Sequence, residues 1–355
     1  MPESADNKFM RRCLDLAVRA EGMTYPNPLV GSVVVHEGVV IGEGYHLKAG
    51  APHAEVNAIN SVSDKSLLSK STIYVSLEPC SHSGKTPPCA DFIISNNIRR
   101  VVVGTADTSD KVTGKGISRL KEAGCDITIG VLETECRRIN RKFFTFHEKK
   151  RPYITLKWAQ SADGFIDLIR RNKPSAEQNW ITGKSERVLV HKWRAVEEAI
   201  LVGAGTIRAD NPRLNVRFWN GNDPIKIILS RSANLNKYLS EDETNGTVIV
   251  FTSNPENDIG RAERIVLKEN IPSSLQVIEY LYDRGIQSVF IEGGSEVITH
   301  FVESGLWDEA RIFTGKVNFN DGVKSPSIGG RVDTDISFEK SRLTILVNED
   351  EIRGN

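Results

Sequence analysis

The chain has 355 residues, 39% hydrophobic and 26% charged, which exceeds one ordinary core and suits two globular domains. Forty-six basic residues balance 46 acidic ones, so the basic excess expected of a nucleic-acid binder is absent and a small-molecule substrate is favoured. There is no apolar signal core and no run near the ~20 apolar residues of a membrane span, while five sparse cysteines make a poor disulfide framework and fit a reducing cytoplasm.

From the amino end, Phe9, Met10, Cys13, Leu14, Ala17 and Val18 recur at helical spacing. Residues 30–41 are β-branched about a Glu37-Gly38 turn and read as a hairpin. A helix over 52–59 follows, then a strand over Thr72–Leu77, a loop holding Cys80, and a helix opened by Pro87-Pro88. A strand over 100–104, a helix over 116–123, a strand over Asp126–Ile129 and one charged helix over 133–146 complete this half. The polar segment 147–152 ends in proline and marks a boundary, giving domains 1–147 and 151–355. The second half restarts with a strand over 153–159. Strands at 199–202, 225–229, 247–252 and Ser288–Ile291 follow, interleaved with helices. The polar stretches 168–178 and 232–245 read as loops, no repeat is visible, and the last forty residues carry no clear pattern. Both halves are α/β.

The strongest chemical signal is His53-Ala54-Glu55, then Glu78-Pro79-Cys80, then Cys89. One imidazole and two thiolates are the three protein ligands of a catalytic zinc that keeps a fourth position for water. Such a metal lowers the pKa of water towards ~7, and an attack on an aromatic carbon bearing an amino group then needs only a proton carrier. Glu55 lies ~200° around a helix from His53, so it is placed as that carrier rather than as a side-by-side ligand. Helix starts at His53 and near Cys89 favour thiolate charge. The zinc signature of nucleobase deaminases separates its cysteines by two residues; here eight intervene, in CSHSGKTPPC.

The second half lacks a GxGxxG fingerprint after its first strand. It offers Val289-Phe290-Ile291-Glu292-Gly293-Gly294-Ser295 leading into a helical run, a strand, glycine pair and helix start whose amides can bind phosphate.

The stretches TYPNPLVGSVVV, GEGYHLKAGAPHAE and YVSLEPCSHSGKTPPCADFI closely resemble the deaminase half of the bifunctional riboflavin-biosynthesis deaminase–reductases, over nearly all of residues 6–147. LKWAQSADGFID, NWITG, HKWRAVEEAILVGAGTIRADNPRLNVR and FIEGGSEVITHF resemble the same family's reductase half, from about 151 to 315. The resemblance implies a cytidine-deaminase-like α/β/α domain followed by a dihydrofolate-reductase-like α/β domain. It implies deamination of 2,5-diamino-6-ribosylamino-4(3H)-pyrimidinone 5′-phosphate, then reduction of the ribosyl chain to ribityl, with zinc and NADPH as cofactors. His53, Cys80 and Cys89 become the zinc ligands and Glu55 the proton shuttle, with Asn27, His46, His82 and Lys85 as substrate contacts. Lys85 is the candidate for phosphate, since a flexible ammonium suits it. In the reductase half, Ala159, Trp180, Thr206 and Asp210 fall on cofactor positions, together with Gly294, Ser295, Glu296, Val297, Ile298, Thr299 and His300. Gln178, Arg194, Leu214, Arg217 and Glu292 fall on substrate positions, the two arginines offering forks suited to a ribose phosphate. No general acid for the reduction is assigned. The preference for NADPH over NADH comes from the resemblance alone, as does assembly into a dimer or larger homo-oligomer.

The chain departs from the family at three places. Asp107-Thr108-Ser109-Asp110-Lys111-Val112 replaces the usual Asp-Pro-Asn-Pro-x-Val, Ser230 stands where an aspartate is common, and residues 168–178 are longer than usual. Three other readings remain beside the first. A nucleic-acid deaminase would carry C-x-x-C spacing, a basic groove and no reductase half. A structural zinc would close on four protein ligands, with His82 as the fourth. Finally, one half alone could be active.

Overall fold

Strand alternation and helical periodicity resolve into two units, residues 1–151 and 152–355. The computed structural model describes residues 4–81, 87–109, 113–168, 181–231, 235, 247–256 and 258–348. In the first unit, α1 (Ala5–Ala17) starts at Ser4, whose side chain accepts from the Asn7 amide. Strands β1 (Gly31–His36) and β2 (Val39–Tyr45) form the hairpin, α2 (Ala54–Ser61) returns, and β3 (Thr72–Leu77) pairs with β1. Then come α3 (Cys89–Ser95), β4 (Arg100–Thr105), α4 (Lys115–Glu122) and β5 (Asp126–Ile129). The sheet order is β2-β1-β3-β4-β5, with β3, β4 and β5 parallel.

Side chains alternate across this sheet and so build a core on each face. Val34, Ile73 and Val75 pack with Ala58 and Ile59 of α2, Ile93 of α3 and Leu120 of α4. Val33, Val35, Tyr74 and Val102 pack instead with Phe9, Met10 and Cys13 of α1. The outcome is an α/β/α sandwich.

The single helix expected over 133–146 is in fact two, α5 (Glu133–Ile139) and α6 (Arg141–Lys149). Asn140 breaks it, at φ −105° and ψ 18°. Its side-chain amide accepts from Leu29 N at 2.7 Å and donates to Leu29 O at 2.8 Å. A buried donor and a buried acceptor are both satisfied by one side chain, which outweighs helical continuity.

The second unit is a nine-stranded sheet in the order β11-β10-β9-β8-β12-β6-β13-β16-β15. Its strands are β6 (Tyr153–Gln160), β8 (Ala199–Gly203), β9 (Ile225–Ser230), β10 (Val248–Thr252), β11 (Glu263–Val266), β12 (Ser288–Ile291), β13 (Glu309–Gly315), β15 (Arg331–Ser337) and β16 (Ser341–Val347). All run in one direction except β16, which pairs antiparallel with β13 on one side and with the edge strand β15 on the other. A small ribbon joins β7 (Phe165–Asp167) to β14 (Val323–Lys324). Helices α9 (Ser273–Asp283) and α10 (Ser295–Glu303) pack Val277, Leu281, Ile298 and Phe301 on one face. The other face carries Val190 of α7 (Lys184–Arg194) and Ile207 of α8 (Ala204–Asp210). Within the last forty residues, the described stretch up to 348 therefore carries β14, β15 and β16. Strand β15 is largely exposed along its length, so it shows no apolar alternation for a sequence reading to catch. Among the described residues no helix is long and apolar enough to cross a membrane.

Candidate metal centre and cofactor cleft

Parallel strands deliver their carboxyl ends to one edge, and both units place their chemistry there. In the first unit, β3 ends at Leu77 and the chain continues through Glu78 and Pro79 to Cys80. His53 caps the start of α2 in extended conformation, φ −73° and ψ 166°, and Cys89 opens α3. His53 Nδ1 lies 3.6 Å from Cys80 Sγ and 3.3 Å from Cys89 Sγ. Zinc–nitrogen and zinc–sulfur bonds of ordinary length in a tetrahedron put such atoms ~3.5 Å apart. The three ligand atoms lie within 4.8 Å of one another, so the residues present fit a zinc ion. The Cys89 amide points at Cys80 Sγ, 3.4 Å away. The Cys89 thiol first, then His53 and this amide, draw the Cys80 thiol well below its usual range against the effect of burial. His82, the alternative fourth ligand, and Lys85 lie outside the described residues.

Glu55, on the first turn of α2, is buried. Burial pushes its carboxyl up to about 7, against the pull of His53. Asn27 and His46 come together beside this centre: Asn27 Nδ2 is 3.0 Å from His46 Nε2, and His46 Nδ1 is 3.1 Å from the Pro52 carbonyl. A carbonyl only accepts and an amide nitrogen only donates, so His46 carries its proton on Nδ1 and is neutral. Burial lowers its pKa in the same sense. Its ring meets that of His53 edge to face, with centroids 5.3 Å apart.

The sequence reading left Glu78 without a role. Its buried carboxylate accepts from four backbone amides, those of Asp107 and Gly114 on Oε2 and of Gly116 and Ile117 on Oε1, at 3.0 to 3.2 Å. It thereby ties the metal loop to the start of α4, close to the segment that departs from the family. Gly116 is required at this junction, because a Cβ there would stand 1.8 Å from the Pro79 carbonyl oxygen. Asp107 braces the same turn by accepting from the Ser109 amide at 2.7 Å, while residues 110–112 are outside the described set.

In the second unit, Arg194 ends α7 and Glu292 follows β12. The arginine donates through Nε to Oε1 at 2.5 Å and through Nη2 to Oε2 at 2.8 Å. The fork that chemistry would offer to a phosphate is thus closed on a carboxylate, and Nη1 reaches the Asn215 carbonyl at 3.2 Å. Lys157, on β6 two residues before Ala159, stands 3.7 Å from Glu292 Oε2 with only 16% of its side chain exposed. Burial favours protonation of Glu292, yet Arg194 and Lys157 override it and hold the carboxyl down to about 2. Burial depresses the Lys157 ammonium, with Glu292 opposing. The sequence reading missed Lys157, though a lysine inside the apolar strand YITLKWAQ was a visible signal.

Arg217 stands outside this pair and is exposed. Its Nη1 donates to Asn215 Oδ1 at 2.8 Å, and its amide donates to His191 Nδ1 at 3.1 Å. Desolvation and the nearby Arg194, Arg213 and Arg187 lower its pKa, which marks a local surplus of positive charge. Leu214 is buried with φ +53°. Gln178 and Trp180 lie outside the described residues.

A cavity of about 360 Å³ opens at the carboxyl ends of β8, β9 and β12. Thr206, Gly294, Glu296, Val297 and His300 line it, as do Arg208, Ser230, Arg231, Ser253 and Lys268, of which only Ser230 was singled out from sequence. Gly294 holds φ +68° as the residue before α10, a backbone state that favours glycine and turns the chain into the helix. Ser295 donates to the Lys324 carbonyl at 2.7 Å, and Ile298 and Thr299 continue α10. Asp210 is exposed at the end of α8, and Ala159 packs in the cluster with Phe290 and Phe313. A cavity at helix starts and strand ends, with hydroxyls and cations in its wall, suits a phosphate-bearing cofactor.

The comparisons agree with both sites. Residues 3–105 match the cytidine and deoxycytidylate deaminase zinc-binding region, and residues 152–317 match the RibD C-terminal domain. A riboflavin biosynthesis protein RibD of Aquifex aeolicus is 36% identical over 98% of this chain and 97% of its own. The Escherichia coli protein of that name is 33% identical over 87% of each. A crystal structure of a diaminohydroxyphosphoribosylaminopyrimidine deaminase/5-amino-6-(5-phosphoribosylamino)uracil reductase from Thermotoga maritima aligns at TM-score 0.86 and 36% identity, covering 97% of this chain and 99% of that one. Acinetobacter baumannii RibD aligns at TM-score 0.83 and 30% identity.

Proposed function

The chain belongs to the RibD family of riboflavin-biosynthesis proteins, and from that premise we propose how its own residues divide the family's two reactions. It is a bifunctional enzyme, a zinc-dependent deaminase of the hydrolase class joined to an NADPH-dependent reductase. The first unit removes ammonia from 2,5-diamino-6-ribosylamino-4(3H)-pyrimidinone 5′-phosphate. The second reduces the ribosyl chain to give 5-amino-6-ribitylamino-2,4(1H,3H)-pyrimidinedione 5′-phosphate.

The convergence of His53 Nδ1, Cys80 Sγ and Cys89 Sγ beside a buried carboxylate carries the deaminase reading. These three side chains hold zinc, which when bound supplies the activation of water. Glu55 takes a proton from the attacking water and returns it to the departing nitrogen. A carboxyl near 7 suits both halves of that task at neutral pH. Neutral His46, fixed by Pro52, and Asn27 orient the base, while Glu78 holds the loop around it. By the family resemblance, His82 contacts the substrate and Lys85 takes its phosphate.

In the second unit, NADPH when bound supplies the hydride. Ala159, Trp180, Thr206, Asp210 and the turn from Gly294 to His300 bind it. Lys157 donates the proton that must accompany hydride arrival at C1′, since burial makes its ammonium a readier acid and Glu292 keeps it in place. Arg194 positions Glu292, whereas Arg217, in its surplus of positive charge, takes the ribose phosphate. By the family resemblance, Gln178 and Leu214 also contact the substrate.

The thiol ligands fit a reducing cytoplasm, and the family resemblance supports a dimer or larger homo-oligomer, which light scattering tests. Full-length Glu55→Gln tests the division of labour. With already deaminated substrate it should oxidise NADPH at the wild-type rate, and with the amino substrate almost none. Equal consumption of NADPH on both substrates would refute the order of the two steps.

A further inference from the structure

The cavity beside α10 is lined by three cations, Arg208, Arg231 and Lys268, and by one carboxylate, Glu296. Strand order fixes how an extended ligand crosses it. The glycine turn before α10 follows β12, the next strand is β8, then come β9 with Ser230 and Arg231, and β10 with Ser253 beyond. A dinucleotide whose pyrophosphate rests at the Gly294 turn therefore lays its adenosine ribose two strand positions away, ~10 Å, over the end of β9. An arginine at such a strand end offers a charged fork suited to a 2′-phosphate. Here the strand ends in a serine followed by an arginine. Arg231 is not buried in the fold, for 73% of its side chain is exposed, and among the described residues its guanidinium pairs with the equally open Glu296 of α10.

We propose that Arg231 selects the phosphorylated dinucleotide by pairing with the 2′-phosphate, that Lys268 adds charge from the loop after β11, and that Glu296 holds the guanidinium over the cavity until the phosphate replaces it. This rests on the reading of the cavity as the cofactor site and names the residues that set its preference. The exchange is one of partners for a single exposed arginine, so no rearrangement of the core is needed. A phosphate dianion is the stronger partner because it offers more charge and more acceptor oxygens than the carboxylate. Arg208 lies on α8, which follows β8, so it is nearer the pyrophosphate and contributes to any nucleotide diphosphate.

Calorimetric titration of the full-length protein with 2′,5′-ADP and with 5′-ADP separates these ideas without any turnover. Wild type should bind 2′,5′-ADP more tightly. Arg231→Ala should weaken 2′,5′-ADP about ten-fold or more and leave 5′-ADP within about two-fold, as expected for one charge-assisted phosphate contact. Glu296→Gln should tighten 2′,5′-ADP, because it removes both a competitor and a like charge. Binding of both ligands by wild type with 2′,5′-ADP affinity unchanged in Arg231→Ala would overturn the role of Arg231 while keeping the cavity as the cofactor site. Binding of neither ligand by wild type would overturn the cavity reading and this inference with it. Because Arg231 is exposed, its replacement leaves folding intact.

Discussion

The metal centre and the reductase cluster solve opposite electrostatic problems. In the first, two thiols and an imidazole crowd together around a place where a cation belongs, and Glu55 is left as a buried carboxyl raised to about 7. In the second, two cations close on one buried carboxylate, and Glu292 is driven down to about 2. Burial acts in the same direction on both glutamates; the charges around them decide the sign. The difference teaches that a raised carboxyl marks a group that moves protons, and a depressed one marks a group that holds others in place. On the proposed division of labour, Glu55 is the worker of its site and Glu292 the support of Lys157.

The largest effect should come from removing a thiolate. Cys80→Ser or Cys89→Ser should lose stoichiometric zinc and essentially all deamination, while reduction of deaminated substrate persists. Metal analysis beside the two assays checks this, and retained zinc in both variants would dissolve the contrast between the sites. Next, Lys157→Met should lower kcat of the reduction by roughly 10²-fold or more, the usual loss of a proton donor. Glu292→Gln should act through Lys157, lowering kcat and shifting the basic limb of its pH profile. If Lys157→Met changed only KM, the support and the worker would have been confused.

How much of this was legible follows from how each site is built. His53, Cys80 and Cys89 were readable because cysteine is scarce in this chain and thiolate chemistry needs particular residue types. Most strands up to β12 were readable because each is a short β-branched run bounded by turns, while the short β7 and the half-exposed β11 escaped it. The cofactor cavity was readable only in part. Its walls are strand ends and helix starts, so Arg208 and Lys268 meet through topology across sixty residues, with no local pattern to betray them. Arg194 looked like a phosphate anchor because a sequence shows the fork but not the carboxylate 98 positions away that already fills it. Asn140 was hidden for a similar reason, since its partner Leu29 lies 111 residues earlier.

A smaller effect should follow Glu78→Gln. The amide keeps the shape but turns one oxygen into a donor facing backbone donors, at roughly 1–3 kcal/mol for each amide left unsatisfied. Thermal unfolding of the first unit should fall accordingly and KM for deamination should rise, with reductase kinetics unchanged. A variant with wild-type stability would show that the four amides find water instead.

The smallest effect concerns acid. His191 is held neutral down to about 4, first by burial and then by Arg194 and Arg217, and its Nδ1 accepts from the Arg217 amide. Its folded pKa is below the unfolded value of 6.5, so the stability it contributes is complete above that value. It is lost as pH falls towards 4, on the order of 3 kcal/mol at most. His191→Asn, which keeps an acceptor but cannot be protonated there, should flatten the second unit's stability between pH 6.5 and 4 relative to wild type.

The bond pair between Asn140 and Leu29 also sets a clock. A nascent chain holds all three metal ligands once Cys89 has been added, but Leu29 stays unclosed until Asn140 follows. At the usual pace of synthesis those fifty-odd residues take roughly 3–10 s. During that interval the three ligands wait on an unfinished sheet, to which β4 and β5 are added along the way. On the proposed zinc reading, metal supply therefore matters most during synthesis, before Asn140, the residue after α5, closes on Leu29 just ahead of β1.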